Sequence, residues 1–351
     1  MFSRMWSARV AAATVAATCT SGTLLLGTAV DAAPYSGGKQ TRLRENEYPL
    51  LRHDHGKSKV RVLKVRREAS GRHEIREFTV NTRLFSSEYE KVFTRDDNCG
   101  LVATDTQKNT VYVVAKRTKC DSPEQFGIDL ASHFLKEYPI LTAVEVDVEQ
   151  APWVRASTTR PQEHDHAFVK GAAEKDIATV SIGRTPCGCV GQPVVVSSLE
   201  GMTVLKTTQS GFAGYHKDQY TLLPECEERC LATELSSSWT YDNDSKASPD
   251  YNRVRSSVRE KLLLGLFGPS KGGVFSASLQ ATIYDAGCLV IAATDEVQTI
   301  SISTPNLHYL PCKALGVLGE TFEDDVFIPT SEPSGTITCT VGRHRPASEQ
   351  N

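Results

Sequence analysis

The densest group of chemically capable side chains runs Val102-Ala103-Thr104-Asp105-Thr106-Gln107-Lys108-Asn109-Thr110. Hydroxyl, amide and charged groups are packed there between two apolar runs. Thr104, Asp105 or Thr106 could each cap a helix that continues through Val111, Val114 and Ala115, which have helical spacing. A helix N-terminus carries free backbone N–H groups and suits an anion. An ordinary capped helix has the same composition, and the many Val and Thr residues suit a strand as well.

Other candidates are scattered. Arg229 offers a planar fork that makes two parallel hydrogen bonds to a planar rim. Gln280 offers an amide that both donates and accepts. Phe212 offers a flat face for stacking. Taken singly, each has an ordinary reading. Arg229 follows Glu225, Glu227 and Glu228, which predicts a surface ion pair, and Phe212 in Ser210-Gly211-Phe212 would sit in a core. His164-Asp165-His166, with His53 and His55, is the arrangement that most suggests a metal. H-x-H on a strand sends both imidazoles to one face. Ten cysteines are spread along the chain without the look of a small secreted disulfide framework. Cys187-Gly188-Cys189 and Cys226-x-x-x-Cys230 are the close pairs, and neither has the spacing of a structural zinc site. Most cysteines therefore read as small buried hydrophobes or free thiols.

These residues must be positioned by 351 residues, enough for two ordinary domains and a substantial core. Hydrophobic residues make up 40% and charged residues 23%, the balance of a soluble globular protein. A net charge of −3 argues against a large nucleic-acid footprint. No apolar run after the N-terminus is long enough to span a membrane. Residues 1–38 hold Arg4, Arg9, a single acid at Asp31 and an Ala/Thr-rich apolar run ending in Leu24-Leu25-Leu26. That is the composition of an export or organelle-import segment. Residues 39–52 are charged and read as a linker, and 345–351 as a tail.

Between them two similar plans follow, over 53–172 and 173–344. Val60 and Val62 alternate with charged residues in a strand, and His73 to Arg83 returns after the Ser70-Gly71 turn. Ser122-Pro123-Glu124-Gln125 carries a cap, a proline at the first helical position and a capping-box glutamine. Phe126, Leu130 and Phe134 then form an apolar stripe, stopped at Tyr138-Pro139. Leu141 to Glu149 alternates Val144, Val146 and Val148 with Glu145, Asp147 and Glu149, predicting one buried and one wet face. In the second half, Asp176 to Ile182, Thr203 to Thr207 and Leu231 to Tyr241 read as strands. Ser248-Pro249 opens a helix, Ala277 to Ile291 reads as another, and Val297 to Ser303 and Gly335 to Val341 as closing strands. The class this predicts is α+β with antiparallel sheets.

The stretch Val102-Ala103-Thr104-Asp105-x-x-Lys108-Asn109-Thr110 resembles the signature loop of the urate oxidase (uricase) family. Further matches keep the family's order: His55-Gly56-Lys57, Leu205-Lys206-Thr207-Thr208-x-Ser210-x-Phe212-x-Gly214, Arg229, Ser278-x-Gln280-x-Thr282-x-Tyr284 and Pro305-Asn306-x-His308-Tyr309. The resemblance implies two tandem tunnelling-fold domains per chain, each an antiparallel sheet with a helix pair. It also implies homotetramers that stack barrels around a tunnel, and no metal or organic cofactor. The implied reaction is urate + O₂ + H₂O giving 5-hydroxyisourate + H₂O₂.

By the same resemblance Phe212, Arg229 and Gln280 form a purine clamp, with Leu279 in the pocket and the Asp105 backbone N–H on the substrate. Lys57 and Thr104 match the family's catalytic pair and reach the clamp from a neighbouring subunit. A threonine hydroxyl is a poor base alone, but a lysine held close can share and relay its proton. Asn306 and His308 match the residues that hold oxygen or water over the ring, and an imidazole carries protons near neutral pH. The family's His-x-His-x-Phe element, here ending at Phe168, works without a metal. The resemblance also points to the peroxisome, although the chain ends Ser348-Glu349-Gln350-Asn351 and not in Ser-Lys-Leu. Import or export through residues 1–38 is the alternative. His55 stands where family members often have tyrosine, and Leu279 where valine is frequent. Two other readings share the fold: a purine or urate binder without catalysis, and another purine or pterin enzyme. The first has no use for Lys57, Thr104 and His308. A pterin-precursor hydrolase would want a zinc-ligating Cys/His set.

Overall fold

A computed structural model describes residues 48–159, 161–242 and 248–343. The segment read as a targeting sequence and the C-terminal tail lie outside the described residues. The chain forms β1 (His55–Arg67), β2 (His73–Phe85), a short α1 (Glu90–Arg95), α2 (Thr104–Arg117), α3 (Pro123–Glu137) and β3 (Ala143–Gln150). A small ribbon of β4 (Trp153–Arg155) and β5 (Phe168–Lys170) precedes β6 (Lys175–Gly183). Then come β7 (Val194–Lys206), β8 (Leu231–Tyr241), α4 (Tyr251–Phe267), α5 (Leu279–Ala293) and β9 (Val297–Pro311). A single-turn α6 (Ala314–Val317), β10 (Phe327–Thr330) and β11 (Thr336–Gly342) finish the described chain.

One antiparallel sheet runs β1-β2-β3-β6-β7-β8-β9, and β10 and β11 both pair with β9. Counting β6 with the first half, and apart from the short α1 and α6, the β4–β5 ribbon and β10, each half has two strands, two long helices and two strands. The architecture is α+β, a tandem tunnelling fold. Packing repeats as well as order. A Cβ on Gly127 of α3 would sit 2.7 Å from a methyl of Val180 in β6. A Cβ on Gly287 of α5 would sit 2.7 Å from a methyl of Val341 in β11. In both halves the second helix uses a glycine to lie flat on the last strand.

The helix signals held where the cap is local. Ser122 accepts from the Gln125 N–H at 3.2 Å and opens α3, and Ser278 accepts from the Ala281 N–H at 3.2 Å and opens α5. The Gln125 amide bonds Asp129 at 2.8 Å, so it does not return to the cap. Helix α4 is capped by Asp250 in place of Ser248, because the Asp250 carboxylate accepts from the Arg253 N–H at 3.1 Å. In β3, Val144, Val146 and Val148 are fully buried as expected. The opposite face is less wet than the alternation predicts. Glu145 is buried and pairs with Arg83, and Asp147 accepts from Thr179 at 2.8 Å. Both partners stand directly opposite in the register of β2 and β6.

Candidate active site

Helix α2 starts at Thr104, and its cap is Ala103, whose methyl group cannot accept a hydrogen bond. The expectation of a cap at Thr104, Asp105 or Thr106 is thus corrected by one residue or more. The consequence is chemical. Thr104 sits at the first helical position, and its hydroxyl has no hydrogen-bond partner among the described residues. The Asp105 carboxylate accepts from Lys108 at 2.5 Å and Asn109 at 2.9 Å. The bond to Lys108 holds it below the usual carboxylate range, and the more distant charge of Lys57 acts in the same direction. Its side chain therefore braces the first turn, while first-turn N–H groups lack acceptors within the helix.

Lys57 lies on β1 where the register with β2 shifts. A Cβ on Gly56 would fall 2.1 Å from the Thr82 carbonyl oxygen, so only glycine lets β1 approach there. The Lys57 N–H donates to Thr82 Oγ1 at 3.3 Å, and that hydroxyl donates to Gln107 Oε1 at 2.8 Å. Gln107 Nε2 in turn donates to the Val102 carbonyl at 3.2 Å. Val102 is held twice more: its N–H donates to the Tyr89 hydroxyl at 3.1 Å, and His55 Nε2 lies 3.1 Å from its carbonyl oxygen. Thr82 and Gln107 are buried. The strand carrying Lys57 and the loop preceding Thr104 are thus joined by one interior hydrogen-bond chain.

The second group is assembled by three zipped segments. Phe212 N–H donates to the Cys226 carbonyl at 2.6 Å, and Arg229 N–H to the Ser210 carbonyl at 2.8 Å. Gly211 N–H donates to Ser276 and Ser276 N–H to Gln209, both at 2.9 Å, which brings the start of α5 alongside. The Arg229 guanidinium carbon lies 5.4 Å from the Phe212 ring centroid. Tyr215 stacks on Phe212 at 4.8 Å, covering one face of the ring. A cavity of about 710 Å³ is lined by Phe212, Arg229, Leu279, Asn306 and His308 among others. Asn306 and His308 stand two apart on β9 and so share a face. Gln280 is exposed beside Leu279 in the first turn of α5 and does not line this cavity.

Arg229 makes no ion pair with the acids that precede it. Glu225 pairs with Lys217 at 3.2 Å, and Glu228 accepts from the Thr208 hydroxyl at 2.6 Å and the Gln209 N–H at 2.8 Å. The Arg229 Nε is buried without a partner among the described residues. Burial pushes its pKa down from the ordinary arginine value. A desolvated guanidinium beside an aromatic face is a receptor for a flat anion.

The other half of the expected site is elsewhere. Lys57, Thr104 and Asp105 do not line the cavity. Six strand steps separate β1 from β9, a path along the sheet of roughly 29 Å at about 4.8 Å per step. The histidines at 164 and 166 sit in a bend before β5, not on a strand, and the His166 N–H donates to His164 Nδ1 at 3.2 Å. Among the described residues no three His, Cys, Asp or Glu side chains are grouped to hold a metal. Of the nine described cysteines, all free, only Cys120 is buried. The reading of most cysteines as small buried hydrophobes or free thiols is met on its second branch: the others are free thiols, in loops, on α5 (Cys288) and on β11 (Cys339).

The family model for uricase matches residues 53–181 and 195–338. Uricase-2 isozyme 1 of Glycine max is 39% identical over 299 residues, spanning 82% of this chain and 94% of that protein. The uricase of Oryctolagus cuniculus is 34% identical over 304 residues, spanning 86% and 97%.

The chain belongs to the uricase family.

The crystal structure of uricase from Arthrobacter globiformis gives a TM-score of 0.73 at 35% identity, covering 83% of this chain and 93% of that one. Against this uricase background, the residues that sequence reading missed are Thr82, Gln107 and Tyr215. Gln107 had a signal. It falls four residues before Val111 and seven before Val114, a polar side chain on an apolar stripe. Thr82 and Tyr215 had none, since their partners are far along the chain or across a turn.

Proposed function

We propose that this chain is a urate oxidase, converting urate, O₂ and water to 5-hydroxyisourate and hydrogen peroxide. The observation that carries the reading is Arg229: a half-buried guanidinium over Phe212, unpaired with the acids that precede it, opening into a cavity with Asn306 and His308. In a uricase-family chain that arrangement fits the rim and face of a bound urate anion.

The roles follow from the chemistry. Arg229 would bind the anion edge with its fork, and Phe212 would stack on the ring. Gln280 would close on the opposite rim after a side-chain movement from its exposed position, and Leu279 would shape the pocket wall. Asn306 and His308 would hold oxygen or water above the ring. Thr104 and Lys57 would pass protons, with the Asp105 N–H on the substrate. The electron-rich urate dianion reduces oxygen, so the protein's task is binding, orientation and proton transfer.

Two copies of the chain are required by this reading. The Lys57–Thr104 group and the Arg229 cavity stand far apart along one sheet, so a second chain must bring the first to the second. The homotetramer expected from the resemblance supplies such a neighbour. Urate consumption by the purified protein, with a chelator present and peroxide measured in parallel, tests the function. Matched loss of urate and gain of peroxide is expected. Binding of a purine analogue by the assembled protein without turnover would support the non-catalytic binder instead.

A further inference from the structure

The turn joining the two halves carries a second reactive group. Gly188 N–H donates to the Thr185 carbonyl and Thr185 N–H to the Cys189 carbonyl, both at 2.8 Å, closing a tight loop. Arg184 fastens the loop to the end of α3: its guanidinium donates to the carbonyls of Leu141 at 2.8 Å, Gly188 at 3.0 Å and Leu135. Within this turn the sulfurs of Cys187 and Cys189 lie 3.2 Å apart, both exposed. Thr185 Oγ1 lies 3.1 Å from Cys187 Sγ, and its hydroxyl also donates to the Cys189 carbonyl at 3.1 Å. We propose that Cys187 and Cys189 form a peroxide-reactive dithiol that closes to an intrachain disulfide using hydrogen peroxide.

The hydroxyl of Thr185, with help from the neighbouring Cys189, brings the Cys187 pKa down to about 7. At neutral pH Cys187 therefore holds more thiolate than an ordinary exposed thiol. The thiolate attacks one peroxide oxygen. An S–O bond forms, the O–O bond breaks, and hydroxide leaves to take up a proton. Cys189 then attacks the Cys187 sulfur. The S–S bond forms, the S–O bond breaks, and water departs with the Cys189 proton. One peroxide is reduced by two electrons, two thiols become a disulfide, and two waters are released. The supply of peroxide rests on the urate oxidase reading; the thiol chemistry does not.

The test uses the full-length assembled protein, first reduced, then given hydrogen peroxide, blocked with N-ethylmaleimide and mapped by peptide mass. The 187–189 disulfide is expected to form before exposed Cys99 is oxidised, and to reopen with a dithiol reductant. Cys189→Ser should instead leave a Cys187 sulfenic acid that dimedone traps. Thr185→Val should slow closure by about threefold, since a lower thiol pKa raises the thiolate fraction but reduces its nucleophilicity. If both thiols stay alkylatable while Cys99 is oxidised, or if Cys189→Ser traps no sulfenic acid, the proposal falls. Supplying urate in place of peroxide separates the two readings. Closure that catalase prevents supports both. Closure with added peroxide alone upholds the dithiol and counts against turnover. Turnover with peroxide release but an open pair overturns the dithiol.

Discussion

Arg229 holds its guanidinium carbon 5.4 Å from the centre of the Phe212 ring, and neither Glu225 nor Glu228 reaches it. A cation without its neighbouring acids is held ready for an external anion. Arg229→Lys keeps the charge but loses the planar fork. It should weaken binding of a urate analogue by about 3 kcal/mol, on the order of 10²-fold. Calorimetry on the analogue reads this directly. A variant that binds within threefold of the parent would remove Arg229 from the clamp.

The distance between the two residue groups gives a sharper test. Thr104→Ala and Arg229→Ala should each be inactive alone. If a site takes Thr104 from one chain and Arg229 from another, mixing and reassembling the two variants restores intact sites. Random pairing would yield about a quarter of the parent's sites, since each residue is intact in half of the chains. Urate turnover by the remixed sample is the readout. No recovery from well-mixed oligomers would mean that each site is built within one chain.

The Thr82–Gln107 chain ties Lys57 to the start of α2. Gln107→Leu leaves the buried Thr82 hydroxyl only the Lys57 carbonyl, 3.5 Å away, as acceptor, which should cost about 1–3 kcal/mol of stability. A positioning role predicts more. The kcat should fall roughly tenfold with KM little changed, because reacting groups lose alignment while the clamp stays intact. Thr82→Val should do the same, and the double variant should be no worse than either single one. A lower Tm with unchanged kcat would leave the chain a purely structural role.

That network also marks the limit of what sequence patterns carry. The stripe of Phe126, Leu130 and Phe134 and the alternation of Val144, Val146 and Val148 are local, and both elements formed where they were expected. The colinear motifs brought Phe212, Arg229, Leu279, Asn306 and His308 to one cavity. Contacts that depend on register were not readable. Thr82 meets Gln107 only because α2 packs on β1 and β2 pairs beside it, and Glu145 is covered only because Arg83 faces it from β2. The freedom of Arg229 depends on a turn that points Glu228 at Thr208, which no spacing rule encodes. The exposed pair at 187 and 189 looked like ordinary thiols until the turn brought Thr185 beside them.

The two halves share a buried charge cluster that makes the last prediction. Arg255 of α4 pairs with fully buried Glu124 of α3 and, at 3.1 Å, with Asp176 of β6. Ser197 donates to Glu124 at 2.5 Å, and Arg255 also lies over the Trp239 ring at 5.6 Å. Removing the acid at Glu124 leaves buried Arg255 with Asp176 as its one carboxylate partner beside the Ser198 carbonyl, so Glu124→Gln should destabilise the fold by roughly 2–4 kcal/mol. Asp176 behaves differently. Burial pushes its pKa above the ordinary aspartate value, despite Arg255. With the folded pKa above the unfolded one, the folded state holds the proton longer. Its contribution is therefore present at low pH and lost as pH rises through the folded value. Asp176→Asn should remove that slope, so the gap in Tm between variant and parent should shift in the variant's favour as pH rises past the normal carboxylate range. Melting curves from acid to neutral pH measure it, and a gap moving the other way would mean that the Arg255 pair outweighs desolvation at Asp176.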